Sequence, residues 1–338
     1  MTVSLTRPLS VPASWLDRTG MYRVVTISLL TLVAWSLFCA IVGIGVYSFI
    51  DQILSLVVVT AVALGANVAF AKIFRVHANH ESAVITALLL FFLFSPAPSL
   101  LGHGYIALAA LLAVASKFII APRRQHIFNA AAFGAVALSF TGWYEAWWWV
   151  ASPELFIPLV ITGALVVQKV RRWEMVLACI MAGAVGLVVN DVFGLTPWSV
   201  LDGETWYRFA VTGPLLFLAF FMLTEPFTTP PTTRLQILYG ALVGFLTTGA
   251  VLQPVVAMTP ELALLVGNLA VYPFLLRRKL FLTFIERRVI ADQTYEFVFE
   301  KPAGIQFEAG QYLEWMLPHE ADGRGPRRYF TIGSAPEE

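Results

Sequence analysis

The sequence predicts an α-helical polytopic membrane protein of about ten transmembrane helices in two five-helix repeats, followed by a small antiparallel β-domain. Three observations carry that expectation. Hydrophobic residues make up 58% of the 338 and charged residues 13%, with a mean hydropathy of +0.76, whereas a soluble domain carries about 25% charged residues. Before Leu280 the charges fall in short clusters between long apolar runs. After Leu280 the texture changes to alternating apolar and polar residues, the period of half-buried strands. The domains are therefore read as 1–279 and 280–338.

A spanning helix needs about 20 mostly apolar residues. The runs that approach this are Val24–Phe49, Ile53–Phe74, Ala83–Phe94, Tyr105–Ala121, Ile127–Val150, Glu154–Val170, Trp173–Val192, Phe209–Leu223, Leu235–Leu252 and Glu261–Leu276. The first run is too long for a signal peptide and lacks a cleavage site, so it is read as a retained helix. The loop charges test the count. The termini and alternate loops carry Arg7, Arg18, Arg23, Lys72, Arg75, Lys117, Arg123, Arg124, Lys169, Arg171, Arg172, Arg234, Arg277, Arg278 and Lys279. The opposite loops carry only Arg208. The positive-inside rule then puts both termini in the cytoplasm of a multi-pass inner-membrane protein.

The third and eighth runs are short, each holds a Phe pair (Phe91-Phe92 and Phe220-Phe221), and each ends in a proline-rich turn, Ser95–Pro98 and Pro226 to Pro231. Proline cannot donate to the helix ladder, so both helices break there. Broken helices at matching places in two repeats line a central site, or else are ordinary helix ends at the interface. On the first reading Ser82, Thr86, Thr224 and Thr228 border a central cavity. Glu225, at the inner end of the eighth run, either belongs to an ion or redox pathway or pairs with a neighbour such as Arg234. Asn129 and Asn67 are expected to satisfy each other or freed backbone groups.

Other chemistries have little support. Cys39 and Cys179 sit singly in apolar runs, with neither metal-ligand spacing nor a disulfide framework, so no metal site is expected. His77, His80, His103 and His126 fall at run ends or in loops, whereas membrane haem takes axial ligands inside facing helices. The net charge of +1 says nothing about nucleic acid, and no basic patch with interleaved aromatics appears, so no nucleic-acid partner is expected. Trp143, Trp147, Trp148 and Trp149 read as an interfacial aromatic belt or as a stacking surface for a flavin or quinone.

In the tail, Phe281–Ile290 and Thr294–Glu300 read as strands joined by the turn Ala291–Gln293, and Gly310–Leu317 and Arg327–Ser334 as two more, with Glu320–Gly325 as the loop before the last. The last strand carries Arg328, Tyr329, Phe330, Thr331 and Ser334. A cation for a pyrophosphate, an aromatic ring and a hydroxyl are what a flavin dinucleotide needs. Arg328-Tyr329-Phe330-Thr331 resembles the Arg-x-Tyr/Phe-Ser/Thr motif of the ferredoxin–NADP reductase superfamily, and Gly310-Gln311-Tyr312 its earlier barrel-strand signature. The resemblance implies a partial flavin-binding β-barrel that takes FAD. It implies Arg328 on the pyrophosphate, Phe330 beside the ring, Thr331 near the flavin N5, and Tyr312 and Gln311 at the same site. Four strands do not close the six-stranded barrel of that family, and its nicotinamide-binding domain is not in the sequence. NAD(P)H is thus expected to reach the flavin through a further C-terminal domain or a partner chain, with truncation preferred.

A second resemblance covers roughly Lys72 to Leu276. Thr224-Glu225-Pro226-Phe227-Thr228-Thr229-Pro230, followed by Tyr239-Gly240 and Gly244, resembles the "Thr-Asp-Pro-x-Thr-x-Pro … Tyr-Gly-x-x-x-Gly" run of the family holding the D subunit of Rnf electron-transport complexes and the B subunit of the sodium-pumping NADH:quinone reductase. Glu81–Leu89 and His126–Ala131 resemble two further motifs of that family, in the right order. The resemblance implies the ten-helix, two-repeat fold and a membrane flavin or quinone path. The family attaches FMN covalently to a Thr in a Ser-Gly-Ala-Thr loop. Here the corresponding stretch, Thr141–Trp149, has no such Thr, and the Gly-x-Thr-Pro echo at Gly194–Pro197 comes one hairpin late. Any membrane-domain FMN, riboflavin or quinone is therefore expected to be non-covalent.

Together these features predict a membrane flavoprotein oxidoreductase, carrying electrons from NAD(P)H through FAD to a membrane carrier, in contact with lipid and with electron-transport subunits, and open to coupling with ion movement. Two alternatives stay open: a solute or ion transporter with a regulatory β-domain, and a haem-containing ferric-reductase-like protein.

Overall fold

The computed structural model describes residues 16, 18–76, 78–122, 125–195, 199–248, 258–275, 282–301, 307–308, 311–316 and 327–334. The chain divides into two compact units, Met1–Leu275 and Leu276–Glu338. Arg7, His77, Arg123, Arg124, Thr196, Pro197, Arg277–Lys279, Ala309, Gly310 and the loop Glu320–Gly325 lie outside the described residues.

The first unit is helical. In order it holds α1 (Met21–Ile41), α2 (Phe49–Ile73), α3 (His80–Leu93), α4 (Leu100–Ile119), α5 (Ala130–Ser139), α6 (Pro153–Val170) and α7 (Trp173–Val192). Next come α8 (Gly203–Tyr207), which runs into a π turn (Arg208–Thr212), and α9 (Leu215–Phe217), which runs into a second π turn (Leu218–Met222). Last are α10 (Thr233–Thr247) and α11 (Pro260–Val271), the latter ending in a 3-10 turn (Tyr272–Leu275). Short polar residues set the starts. Ser48, Asn79, Ser99 and Asn129 each accept a backbone N–H two or three positions into their helix, satisfying donors that a helix start leaves orphaned. α6 ends at Arg171 in the left-handed region, which turns the chain at once into α7.

Helices lie at each of the ten expected places, but ten spans are not what their lengths show. Among the described residues five helices, namely α1, α2, α4, α6 and α7, are long and apolar enough to cross a membrane, and a sixth is added if the bent pair Gly203–Thr212 and Leu215–Met222 is one span. α3 has 14 residues. At 1.5 Å per residue it reaches about 21 Å, short of a hydrocarbon core of about 30 Å. The eighth run is also broken inside, with a 40° bend at Gly213–Pro214, and not only at its end. Pro214 withholds an N–H, and a Cβ on Gly213 would meet the carbonyl oxygens of Arg208 and Phe209 at 2.7 and 2.9 Å.

The two broken helices meet in the core. Phe92 packs edge-on against Phe217 with centroids 5.7 Å apart, and Phe217 lies 5.2 Å from Phe221. Phe91, Phe92, Phe94 and Phe217 are almost fully buried. Small residues bring other helices together. A Cβ on Gly240 or Gly244 of α10 would run into the carbonyl oxygens of Met175 or Cys179 on α7, the close backbone approach that small-xxx-small spacing allows between membrane helices. Leu30 and Phe38 of α1, Val57 of α2, and Met181 and Val185 of α7 are exposed, the apolar surface that lipid covers.

The second unit holds β1 (Phe284–Ala291), β2 (Thr294–Phe299), β3 (Tyr312–Met316) and β4 (Arg327–Thr331). They form two separate two-stranded antiparallel sheets, β1-β2 and β3-β4. Among the described residues no ladder joins the two hairpins. The rings of Phe299 and Trp315, 4.7 Å apart, link them.

Candidate functional site

Two places collect the residues expected to act, one in each unit.

In the helical unit a cavity of about 50 Å³ is lined by Ser82, Thr86, Asn129, Thr224 and Glu225, with Met21, Tyr22, Phe221 and Pro226 among its other walls. Five of the six expected membrane-site residues thus share one space. Thr228 does not line it; its side chain is buried in the turn after α9 and reaches back to the Glu225 carbonyl at 3.4 Å. The turn is held by Thr229, whose Oγ1 donates to the Glu225 carbonyl at 2.6 Å and the Leu223 carbonyl at 3.2 Å.

Glu225 pairs with His126, Nε2 to Oε1 at 3.2 Å, and not with Arg234. The pair is mostly buried, and the second carboxylate oxygen, Oε2, is buried with no hydrogen-bond partner among the described residues. Asn129 does not pair with Asn67; its side-chain amide takes the other course expected of it and donates to a backbone carbonyl, that of Met222, at 3.4 Å. The Asn129 backbone N–H donates to Asn268 Oδ1 at 2.8 Å, and Asn268 Nδ2 donates to the Tyr239 hydroxyl at 2.6 Å. The Asn67 amide nitrogen is buried with no hydrogen-bond partner among the described residues.

Lys117 is the member that sequence reasoning missed. The sequence places it among the loop charges, yet its ammonium donates to the Ser82 carbonyl at 3.0 Å, Ser82 Oγ at 2.9 Å and Thr86 Oγ1 at 2.6 Å. The signal that could have found it is a single cation inside an otherwise apolar run.

The Trp cluster divides. Trp143 and Trp147 are exposed as a belt would be, but Trp148 and Trp149 are buried. The backbone N–H groups of Trp147 and Trp148 both donate to the Leu93 carbonyl at 2.8 Å, Trp149 Nε1 donates to the Phe91 carbonyl at 2.5 Å, and Trp148 Nε1 donates to Glu261 Oε2 at 3.0 Å. This stretch caps the end of broken α3. The stretch expected to correspond to the FMN-attachment loop is thus spent on closing a helix end.

The cavity does not fit an isoalloxazine or quinone ring. A volume of about 50 Å³ holds one or two waters, at about 30 Å³ each in the liquid, whereas pockets for organic ligands run to about 300 Å³ or more.

In the β unit the two signature segments become neighbours. Tyr312 stands opposite Thr331 and Leu313 opposite Phe330 in the β3-β4 register, and the Ile332 N–H donates to the Gln311 carbonyl at 3.1 Å. Facing residues share a side of the sheet and successive residues alternate. Tyr312 and Thr331 therefore lie on one face, and Phe330 with Leu313 on the other. One flat ring cannot lie on both faces, so Tyr312 and Phe330 do not stack on one ring from the same side of the sheet. Tyr312, Phe330, Thr331, Gln311 and Ser334 are all exposed, as groups meant to meet a ligand must be. The backbones of Arg328 and Tyr329 run in β4, while their side chains lie outside the described residues.

Comparison with known proteins agrees with the helical motifs. Residues 154–277 match the family described as NQR2, RnfD, RnfE. Over 147 residues the chain is 29% identical to the B subunit of the Na(+)-translocating NADH-quinone reductase of Pseudoalteromonas atlantica, a stretch that is 40% of this chain and 36% of that relative. The chain thus spans about a third of the length of the curated relative it matches. The predicted motifs at Glu81–Leu89 and His126–Ala131 precede the family match, and those at Thr224–Pro230 and Tyr239–Gly244 fall inside it. The helical unit accordingly resembles the membrane subunits of the NQR2, RnfD, RnfE family of electron-transport complexes.

Proposed function

We propose that this chain is a membrane flavoprotein oxidoreductase of the inner membrane, with both termini cytoplasmic, that draws reducing equivalents from NAD(P)H through FAD on its β unit toward a carrier in an electron-transport assembly. The observation that carries the reading is the pairing of Tyr312 with Thr331. It sets the Gln311-Tyr312 signature beside the Arg328–Thr331 signature on adjacent strands. When bound, the flavin supplies hydride acceptance and single-electron release.

The chain's own residues have simpler tasks. Arg328 is the cation for the pyrophosphate. Phe330 offers an exposed aromatic ring on one face of β4, and Thr331, at the strand end, offers a hydroxyl from the opposite face. No step is assigned to a flavin or quinone inside the helical cavity, because the cavity is too small for one. A membrane carrier, if held by this chain, sits elsewhere.

A second reading, ion or solute transport, draws support from the meeting of α3 and α9 through Phe92 and Phe217, since counterpart broken helices of two repeats line pathways. The full-length protein, expressed with ample riboflavin, separates the readings. The oxidoreductase shows flavin absorbance bands and NAD(P)H oxidation. A colourless preparation inert to both nicotinamides leaves transport as the function, and a Soret band indicates haem.

A further inference from the structure

We propose that the helical unit contains a monovalent-cation site whose resident cation is the chain's own Lys117 ammonium. An ammonium group has three N–H donors and no acceptor. In Lys117 all three are used, on the Ser82 carbonyl, Ser82 Oγ and Thr86 Oγ1, at 2.6 to 3.0 Å. A lysine that merely snorkels sends its head to water. This one sends its head to another helix, from the last turn of α4 to the start of α3.

The surroundings are those of a bound cation. Among the described residues no carboxylate lies within ion-pair distance of Nζ. Glu225 lies across the neighbouring cavity from Ser82 and Thr86, with Oε1 on His126 and Oε2 buried and without a hydrogen bond among the described residues. Ser82, Thr86 and Glu225 line the same cavity of about 50 Å³, together with Asn129 and Thr224. A carbonyl, two hydroxyls and a carboxylate across a water-sized gap are hard oxygen donors, the kind that replace the hydration shell of an alkali ion. The ammonium fills that role without leaving, because it is tethered to α4. The Ser82 and Thr86 oxygens that hold the ammonium are therefore closed to free sodium, lithium or potassium in the native protein. Truncating Lys117 opens the oxygen cage to one.

The test is thermal unfolding of the full chain in nanodiscs, titrated with sodium, lithium or potassium chloride against choline chloride at constant ionic strength. The native protein is expected to give the same Tm in every salt. Lys117→Ala is expected to melt lower in choline and to recover by several degrees, saturably, in sodium or lithium. Lys117→Arg, which keeps a tethered cation, is expected to stay insensitive. A saturable alkali response in the native protein overturns the proposal, and so does a Lys117→Ala variant that responds no differently from Lys117→Arg. Should Lys117→Ala fail to fold, Lys117→Met takes its place, and the native titration decides in any case. The readout involves no flavin, so it is independent of the oxidoreductase reading.

Discussion

The indole nitrogen of Trp149 lies 2.5 Å from the carbonyl oxygen of Phe91, joining residues 58 positions apart in sequence. α3 stops at Leu93, so the Phe91 carbonyl has no intrahelical donor. The ring of Trp149 also packs edge-on against Phe91, with centroids 5.1 Å apart. One side chain thus satisfies the broken helix and fills the space beside it.

Trp149→Phe keeps most of the ring and removes the donor. Leaving the Phe91 carbonyl buried and unpaired is expected to cost about 1–3 kcal/mol, read as a lower Tm in nanodiscs. Trp149→Ala also opens a cavity and is expected to cost about 3–5 kcal/mol. Equal stabilities for Trp149→Phe and the native protein would show that the bond contributes nothing.

His126 and Glu225 form a mostly buried pair, so their effects should not add. His126→Ala strips the hydrogen-bond partner from a carboxylate whose second oxygen already lacks one among the described residues. A double-mutant cycle with Glu225→Gln is expected to give a coupling of about 0.5–3 kcal/mol. Additive Tm changes would place the two residues apart in the working protein.

Gly244→Ala and Gly65→Ala are the same substitution in opposite surroundings. A Cβ at Gly244 drives into the Cys179 carbonyl, while one at Gly65 meets nothing within 4 Å. Gly244→Ala is expected to force α7 and α10 apart, at the upper end of the roughly 1–3 kcal/mol typical of overpacking or beyond it. Gly65→Ala is expected to be neutral or to stabilise α2 by up to about 1 kcal/mol. Melting temperatures that shift alike would contradict the close approach.

Phe330→Ala and Thr331→Ala change exposed side chains, for which stability effects stay within about 0.5 kcal/mol. If FAD lies against β4, each lowers FAD affinity at least tenfold, a loss of about 1.4 kcal/mol. Flavin released from purified protein, compared with Tm on the same samples, checks this. Unchanged flavin content in both variants would move the flavin away from β4.

The apolar runs by themselves located every described helix of the bundle except the short α8, because about 20 residues without charge have few other solutions in lipid. Prolines marked the ends of α3 and α9, and the tail's alternation marked its strands. Five of the six membrane-site residues, Ser82, Thr86, Asn129, Thr224 and Glu225, were legible because they are polar groups beside those breaks. Pro214 also carried a readable signal for the bend inside the eighth run, though only the structure showed how far the chain turns there.

What sequence could not determine was which face of each helix meets which neighbour. These helices are apolar all round, so no periodic stripe marks the buried side. His126 on Glu225, Asn129 on Asn268 and Lys117 on Ser82 and Thr86 join residues 99, 139 and 31 to 35 positions apart. Such pairings follow from helix rotation and close backbone approach, which only the packed bundle determines. The same holds in the β unit, where the motifs were visible but their register decided that Tyr312 shares a face with Thr331 and not with Phe330.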